Sequence, residues 1–166
     1  MRFWPGLMLL LPLASPFAHA ELIDEVNDRG ELRIALSADL PPFSFKQGDR
    51  LTGFDVELGE LLAKELEVKP SLLVTHHDDL LSGVESGKYD VAITPVVMPR
   101  EVEDRFDFTE PYSDTASQPT VSLAIPLQKG NPAFQASLNN ALQRIKADGR
   151  LAALSQKWLE REALQP

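Results

Sequence analysis

The stretch DVELGELLAKELEVKPSLLVTHHDDLLSGVESGKYDVAIT, residues 55–94, reads as helix, strand, helix, strand. In its first part Leu58, Leu61, Leu62 and Leu66 recur at i, i+3, i+4 and i+8, one face of a helix. Asp55 and Glu57 stand in the first turn, where carboxylates suit the helix dipole. SLLVT (71–75) is a short apolar strand. DDLLSGVESG (78–87) is a second helix, with Asp78 as its N-cap and Gly87 as its stop. YDVAIT (89–94) is short and apolar, as strands of a covered parallel sheet are.

The same alternation extends outward. ELIDEVNDRG is a short helix ending at Gly30, and ELRIALS carries Leu32, Ile34 and Leu36 at period two. ADLPPFSFKQGDRLTGF is a long loop with a hairpin punctuated by Gly48-Asp49 and Gly53. TVSLAIP gives a fourth strand through Val121, Leu123 and Ile125. NPAFQASLNNALQRIKADG is a helix capped by Asn131, opened by Pro132 and ended by Gly149. Its core stripe is Phe134, Leu138, Ala141, Leu142 and Ile145, and a last helix turns Leu151, Leu154 and Trp158 inward. The fold class is therefore α/β: a single three-layer lobe with a mostly parallel sheet of about four to five strands. Such sheets bind ligands at the carboxyl ends of their strands. Here those ends are Ser37 to Phe45, Thr75 to Asp78, and Thr94 to Arg100.

The first twenty residues, MRFWPGLMLLLPLASPFAHA, stand apart from this pattern. Arg2 precedes an apolar run and Ala18-His19-Ala20, an A-x-A cleavage pattern, so residues 1–20 read as a signal peptide cut before Glu21. The run is too short and too broken by proline to span a bilayer, which leaves no membrane insertion. The whole chain holds 16 basic and 25 acidic residues and carries −9. Loss of Arg2 makes the mature lobe more acidic still, which argues against nucleic acid and anionic lipid. No cysteine exists to build a disulfide or a thiolate metal site. A periplasmic location is the simplest reading.

Other clusters read as ordinary structure. HHDD (76–79) offers metal-type ligands, but adjacent residues do not converge on one ion, and a strand end followed by a cap explains them. Arg105 and Arg100 lie among Glu101, Glu103 and Asp104 as a solvated surface. No carboxylate pair, Gly-x-Ser-x-Gly motif or phosphate loop stands out, so no enzyme and no cofactor is expected.

Five pieces carry a resemblance: GELRIALSADLPPFSF, LTGFDVELGELLAKEL, LLSGVESGKYDVAITP, DFTEPY and KGNPAFQASLNNALQRIKADGRLAALSQKWL. In this order they resemble the bacterial extracellular solute-binding proteins of the amino-acid class, periplasmic partners of ABC importers. The resemblance implies the periplasmic-binding-protein type II fold, in which two lobes close on a ligand. It covers the first lobe only. The second lobe would be inserted after DFTEPY, where this chain has a short patch following Tyr112, so residues 21–116 and 117–166 are expected to make one lobe joined there. Tyr112 and Thr120 would lie near the cleft rim.

The ligand-binding positions implied are Ser37, Leu40, Phe43, His77, Thr94, Val97 and Arg100. Leu40 stands where the family has an aromatic before Pro-Phe, and His77 where it has the opposing aromatic. Val102 occupies the position of the arginine that clamps a ligand carboxylate; Arg100 is two residues early. The expected function is binding of a small organic, amino-acid-like solute for an ABC importer or sensor. A second copy supplying the other wall, as a homodimer, would serve the same end. The alternatives are a protein-interaction module that uses the exposed cleft face to hold another periplasmic protein, or a degenerate remnant.

Overall fold

A computed structural model describes residues 21–95, 102, 104–114 and 122–159. The chain begins with α1 (Leu22–Arg29) and β1 (Glu31–Leu36), then a three-stranded ribbon of β2 (Asp39–Leu40), β3 (Ser44–Gln47) and β4 (Arg50–Thr52). Next come α2 (Phe54–Glu65), β5 (Lys69–Val74), a 3-10 turn (His77–Asp79), α3 (Leu80–Glu85) and β6 (Val91–Ala92). β7 (Phe106–Phe108), β8 (Ser113–Asp114), β9 (Ser122–Leu123) and β10 (Pro126–Gln128) follow, before α4 (Pro132–Ala147) and α5 (Arg150–Trp158).

The main sheet has the order β5-β1-β6-β10-β7. β1 pairs in parallel with β5, from Glu31 opposite Lys69 to Leu36 opposite Val74, and with β6, where Ala35 lies opposite Ala92. β10 is antiparallel to both β6 and β7. Four strands thus run one way and β10 alone runs back, which is the mostly parallel sheet expected.

Alternation along the strands sorts the residues into two faces. Leu32, Ile34, Leu36, Val91, Ile93, Ile125 and Leu127 face a large core shared with α1, α2, α4 and α5. Ala35, Ala92 and Phe106 face a smaller core with Leu80 and Val84 of α3 and with Tyr89. That is a three-layer lobe. The expected α4 stripe of Phe134, Leu138, Ala141, Leu142 and Ile145 is wholly buried. In α5, Leu151 and Leu154 are buried and Trp158 is half-buried, its ring edge-on to Phe45 at 5.9 Å. The helices lie close on the sheet: a Cβ on Gly59 of α2 would stand 3.0 Å from Ile34 Cδ1.

Three local readings differ from the structure. The helix after the 3-10 turn starts at Leu80 with Asp79 at the cap position, so Asp78 is not its N-cap, because the turn takes up His77 to Asp79 first. TVSLAIP divides: Ser122–Leu123 pairs with β8, and the chain joins the main sheet only at Pro126, opposite Phe108. Proline is tolerated there as the first strand residue. Asn131 occupies the N-cap position of α4 but spends its side chain elsewhere: Oδ1 accepts the Leu22 N–H at 3.0 Å and Nδ2 donates to the Gln128 carbonyl at 3.1 Å. The Ala133 N–H of that first turn donates instead to Glu21 Oε2 at 2.7 Å.

One buried charge locks the amino ends of the central strands. Asp90, with no exposed side-chain surface, precedes β6. Its Oδ2 accepts from the Arg33 N–H at 2.7 Å and Arg29 Nη2 at 2.6 Å, and Oδ1 from Arg33 Nη2 at 2.7 Å and Nε at 3.2 Å. Hydrogen bonding to Asp90 raises the Arg33 pKa. Asp90→Ala leaves a part-buried backbone N–H and two part-buried guanidinium groups without their acceptor, and a loss of about 2–4 kcal/mol is expected. Urea unfolding followed by circular dichroism measures it, and a loss under about 1 kcal/mol would show that the clamp is dispensable.

Candidate functional site

The opposite ends of the same strands carry the polar groups that strand pairing does not consume. The Thr75 N–H donates to the Leu36 carbonyl at 3.0 Å and the Ile93 N–H to the Ala35 carbonyl at 3.1 Å, so the parallel ladders continue one step past β5 and β6. In that register Thr75, Ser37 and Thr94 form a row of three hydroxyl residues across the carboxyl edge of β5, β1 and β6. Ser37 and Thr94 are buried and Thr75 is half-buried. Thr94 Oγ1 has no hydrogen-bond partner among the described residues.

A depression of about 420 Å³ opens beside this row, between the ends of β1 and β5 and the β2–β3 ribbon. Ser37, Asp39, Lys46, Val74, Thr75 and His76 line it. The Ser37 hydroxyl donates to Asp39 Oδ1, which fixes that carboxylate at the rim. Lys46 forms no ion pair or hydrogen bond among the described residues. Behind Thr75, its hydroxyl and the Lys88 ammonium stand against the Tyr89 phenol and hold its pKa below the usual tyrosine value. Val74 is the large apolar side chain left open, at 50% exposure. The wall thus offers hydroxyls, one carboxylate, one ammonium and an imidazole around a small apolar patch. That is a surface for a small charged or zwitterionic solute.

The implied ligand positions fall into groups. Ser37 lines the depression and Thr94 ends the hydroxyl row. Leu40, on β2, is half-buried and does not line it. Phe43 is half-buried against the main core, edge-on to Phe54 at 6.4 Å, and His77 is exposed at the start of the 3-10 turn. Val97 and Arg100 lie outside the described residues, as does Thr120. Val102 is half-buried and packs on the small apolar core under α3. Tyr112 is buried at 3% exposure, stacked on Phe54 with ring centroids 6.2 Å apart, rather than standing at a rim. Asp39 and His76 fall within the strand-end segments read from the sequence, though neither was singled out as a ligand position, and Lys46 lies outside those segments. Lys46 reaches the site only through ribbon pairing, in which Asp39 lies opposite Phe45. His76 was masked by its neighbour His77.

Another depression, of about 460 Å³, lies between β4, α2 and α5. Several of its charges are already matched, Lys157 with Glu57 and Arg150 with Glu65 and Asp148. Among the described residues no group of three or more His, Cys, Asp or Glu side chains could hold a metal ion.

Residues 32–161 match the model of the bacterial extracellular solute-binding proteins, family 3. The chain belongs to that family. It is 39% identical over 116 residues to the L-cystine-binding protein TcyJ of Escherichia coli (strain K12), a match covering 69% of this chain and 41% of that protein. It is 34% identical over 89 residues to a probable histidine-binding protein of Campylobacter jejuni, covering 54% of this chain and 35% of that one. The family 3 chain therefore spans about two-fifths of the length of the curated relatives it matches.

Among solved structures, the arginine-bound form of domain 1 from TmArgBP is 29% identical with a TM-score of 0.69; the match covers 73% of this chain and 98% of that one. An ancestral cationic amino acid solute-binding protein, AncCDT-1, is 23% identical with a TM-score of 0.74, a match covering 82% of this chain and 98% of that one, and shares the fold. The family 3 chain thus matches nearly the whole of that single domain of TmArgBP.

Thr94→Val tests whether the end of the row is built for stability. Replacing an unpartnered buried hydroxyl by a methyl of the same shape is nearly neutral or stabilising. The urea midpoint should hold or rise; a loss above about 2 kcal/mol would mean that the hydroxyl serves the fold itself.

Proposed function

We propose that this lobe captures a small amino-acid-like solute at the carboxyl ends of β5, β1 and β6, as the soluble binding component of an ABC importer or sensor. The observation that carries this is the Thr75–Ser37–Thr94 row over an open polar depression, at the strand ends where α/β sheets take ligands. The relatives support it: one is named for L-cystine, one for histidine, and one solved single domain is an arginine-bound form. That domain supports capture by one lobe without its counterpart. The depression, at about 420 Å³, matches the size of small-molecule sites.

In this reading the second lobe of the family would be inserted between Tyr112 and Thr120, and its absence leaves the ligand one wall. Residues 1–20 act as a signal peptide and the protein works in the periplasm. Cleavage before Glu21 is compatible with the fold, because Glu21 and Leu22 already make the bonds that tie α1 to α4. The partners are the solute and an importer's membrane subunits, and a second copy would supply the other wall. Among the described residues no helix is long and apolar enough to cross a membrane. With Val102 against the apolar core, an ammonium such as Lys46 takes the role of carboxylate partner.

One wall buries little of a ligand, so dissociation constants of roughly 10 μM to 1 mM are expected. Isothermal titration with L-cystine, L-arginine, L-histidine and L-glutamate measures them. Ser37→Val should weaken the best ligand by about tenfold, the worth of one hydrogen bond to a charged group. No heat and no shift in melting temperature with any of the twenty amino acids at about a hundred times the expected dissociation constant would sink the proposal, since such an excess should stabilise by about 2.7 kcal/mol. The exposed Val74 favours a second reading, docking of another periplasmic protein on this face. Native mass spectrometry of periplasm-purified protein separates the two, by a bound metabolite or a foreign subunit.

A further inference from the structure

Opposite charges meet differently in the two depressions of the lobe. In the one between β4, α2 and α5, Lys157 closes on Glu57, and Arg150 on Glu65 and Asp148. In the one at the ends of β1 and β5, Asp39 and Lys46 are both exposed and line the same space. Neither forms an ion pair with the other or with any described residue. A gap between a carboxylate and an ammonium is therefore left open.

The neutral groups sort themselves by the same polarity. The Ser37 hydroxyl donates to Asp39 Oδ1. A carboxylate only accepts, so the serine proton is spent there and the serine oxygen has only lone pairs left to offer. Asp39 and Ser37 together make an acceptor corner. Lys46 is the reverse, since an ammonium carries N–H donors and no acceptor.

Both ends stand on a fixed frame. Ser37 is buried at the end of β1, at 2% exposure. Asp39 opens β2 and Lys46 lies in β3, strands of one ribbon. That ribbon is pinned where Phe45 meets Trp158 edge-on, and where the Phe54 and Asp55 N–H groups donate to the Pro42 and Phe43 carbonyls. A carboxylate already held by a hydroxyl loses less freedom when a ligand arrives.

We propose that Asp39 and Lys46 are the specificity-determining jaws of a head-group clamp. The Asp39–Ser37 corner takes the α-ammonium of the solute and Lys46 takes its α-carboxylate. The solute class is then an α-amino acid of no net charge with both head groups free. This rests on the reading that the depression captures a small solute, and names what it selects.

The same chemistry turns other solutes away. One carboxylate and one ammonium in the lining balance, so a net-neutral zwitterion leaves neither uncompensated. A dicarboxylate sets an anion against Asp39 and a diamine sets a cation against Lys46, and like charges brought together cost affinity. Ala38 and the exposed Val74 are the apolar part of the lining, against which an uncharged side chain rests. The Thr75 hydroxyl and the His76 imidazole complete the wall. A hydroxyl both donates and accepts, so Thr75 holds a ligand without choosing its charge.

Titration of the natural protein with L-valine, L-serine and L-cystine, and with the amide and N-acetyl form of each, reads the jaws separately. Amide chemical shifts follow the binding. Each free amino acid that binds should do so at least about tenfold more tightly than its capped forms, because each cap removes one charge-assisted contact. Asp39→Asn should weaken the free amino acid and its amide by about tenfold and leave the N-acetyl form unchanged. Lys46→Gln should weaken the free amino acid and its N-acetyl form and leave the amide unchanged. A capped form that binds as tightly as its parent overturns the clamp and leaves solute capture standing. So does unchanged affinity of Asp39→Asn for the free amino acid, or a preference for L-arginine or L-glutamate over all three neutral ones. No binding of any amino acid sinks capture itself and the clamp with it. Both substituted side chains are exposed; should a variant fail to fold, the contrast of free and capped forms on the natural protein decides alone.

Discussion

The lobe depends on the Asp90 carboxylate and the guanidinium groups that enclose it. β1 is the middle of the parallel strands, and β6 itself pairs with it over two residues, extended by the Asp90 N–H to the Arg33 carbonyl and the Ile93 N–H to the Ala35 carbonyl. So short a ladder would hold a strand weakly. Asp90 reinforces the ladder at the amino end by receiving four donors from Arg29 and Arg33. With that end closed by charge, the other end can remain polar and open without loosening the sheet.

In the proposed reading this division separates stability from binding along one axis. At the amino ends a buried charge is fully hydrogen-bonded, and the core between is apolar on both faces of the sheet. At the carboxyl ends Thr94 is buried with no partner among the described residues, and the exposed Lys46 projects at the depression. The buried, unpaired Thr94 hydroxyl costs free energy in the empty lobe. Such a cost is tolerated where a ligand can offset it, which is the physical ground for proposing the site at this edge.

Helix α2 links the two ends. Its middle lies against β1 through Gly59, and Phe54 connects Phe43 on the ribbon side to Tyr112 on the other. A shift in the first turn of α2 is therefore felt both at the ribbon bordering the depression and at the β8–β9 ribbon. Gly53 shows how tight this corner is, because a Cβ there would stand 2.2 Å from the Phe43 carbonyl oxygen, at a backbone φ of 129°. The backbone of residues 42–43 and 53–55 is in effect one joint, closed by the Phe54 and Asp55 N–H groups.

The sequence by itself determined the α/β class, the helices and most of the strands, because periodicity, Gly30, Pro132 and Gly149 act over a few residues. It also determined which residues fill the cores: Leu32, Ile34 and Leu36 alternate wherever β1 pairs, and the α4 stripe is buried as its spacing requires. Only the tertiary structure decided the return of β10 through the sheet, the use of Phe106–Phe108 as an edge strand and the division of TVSLAIP between two sheets. Those outcomes rest on partners far away in the chain, which local pattern does not encode. The same reason hid the burial of two side chains. Asp55 reads as a first-turn acid and Tyr112 as a rim aromatic until long-range packing buries both, Tyr112 against the Phe54 ring.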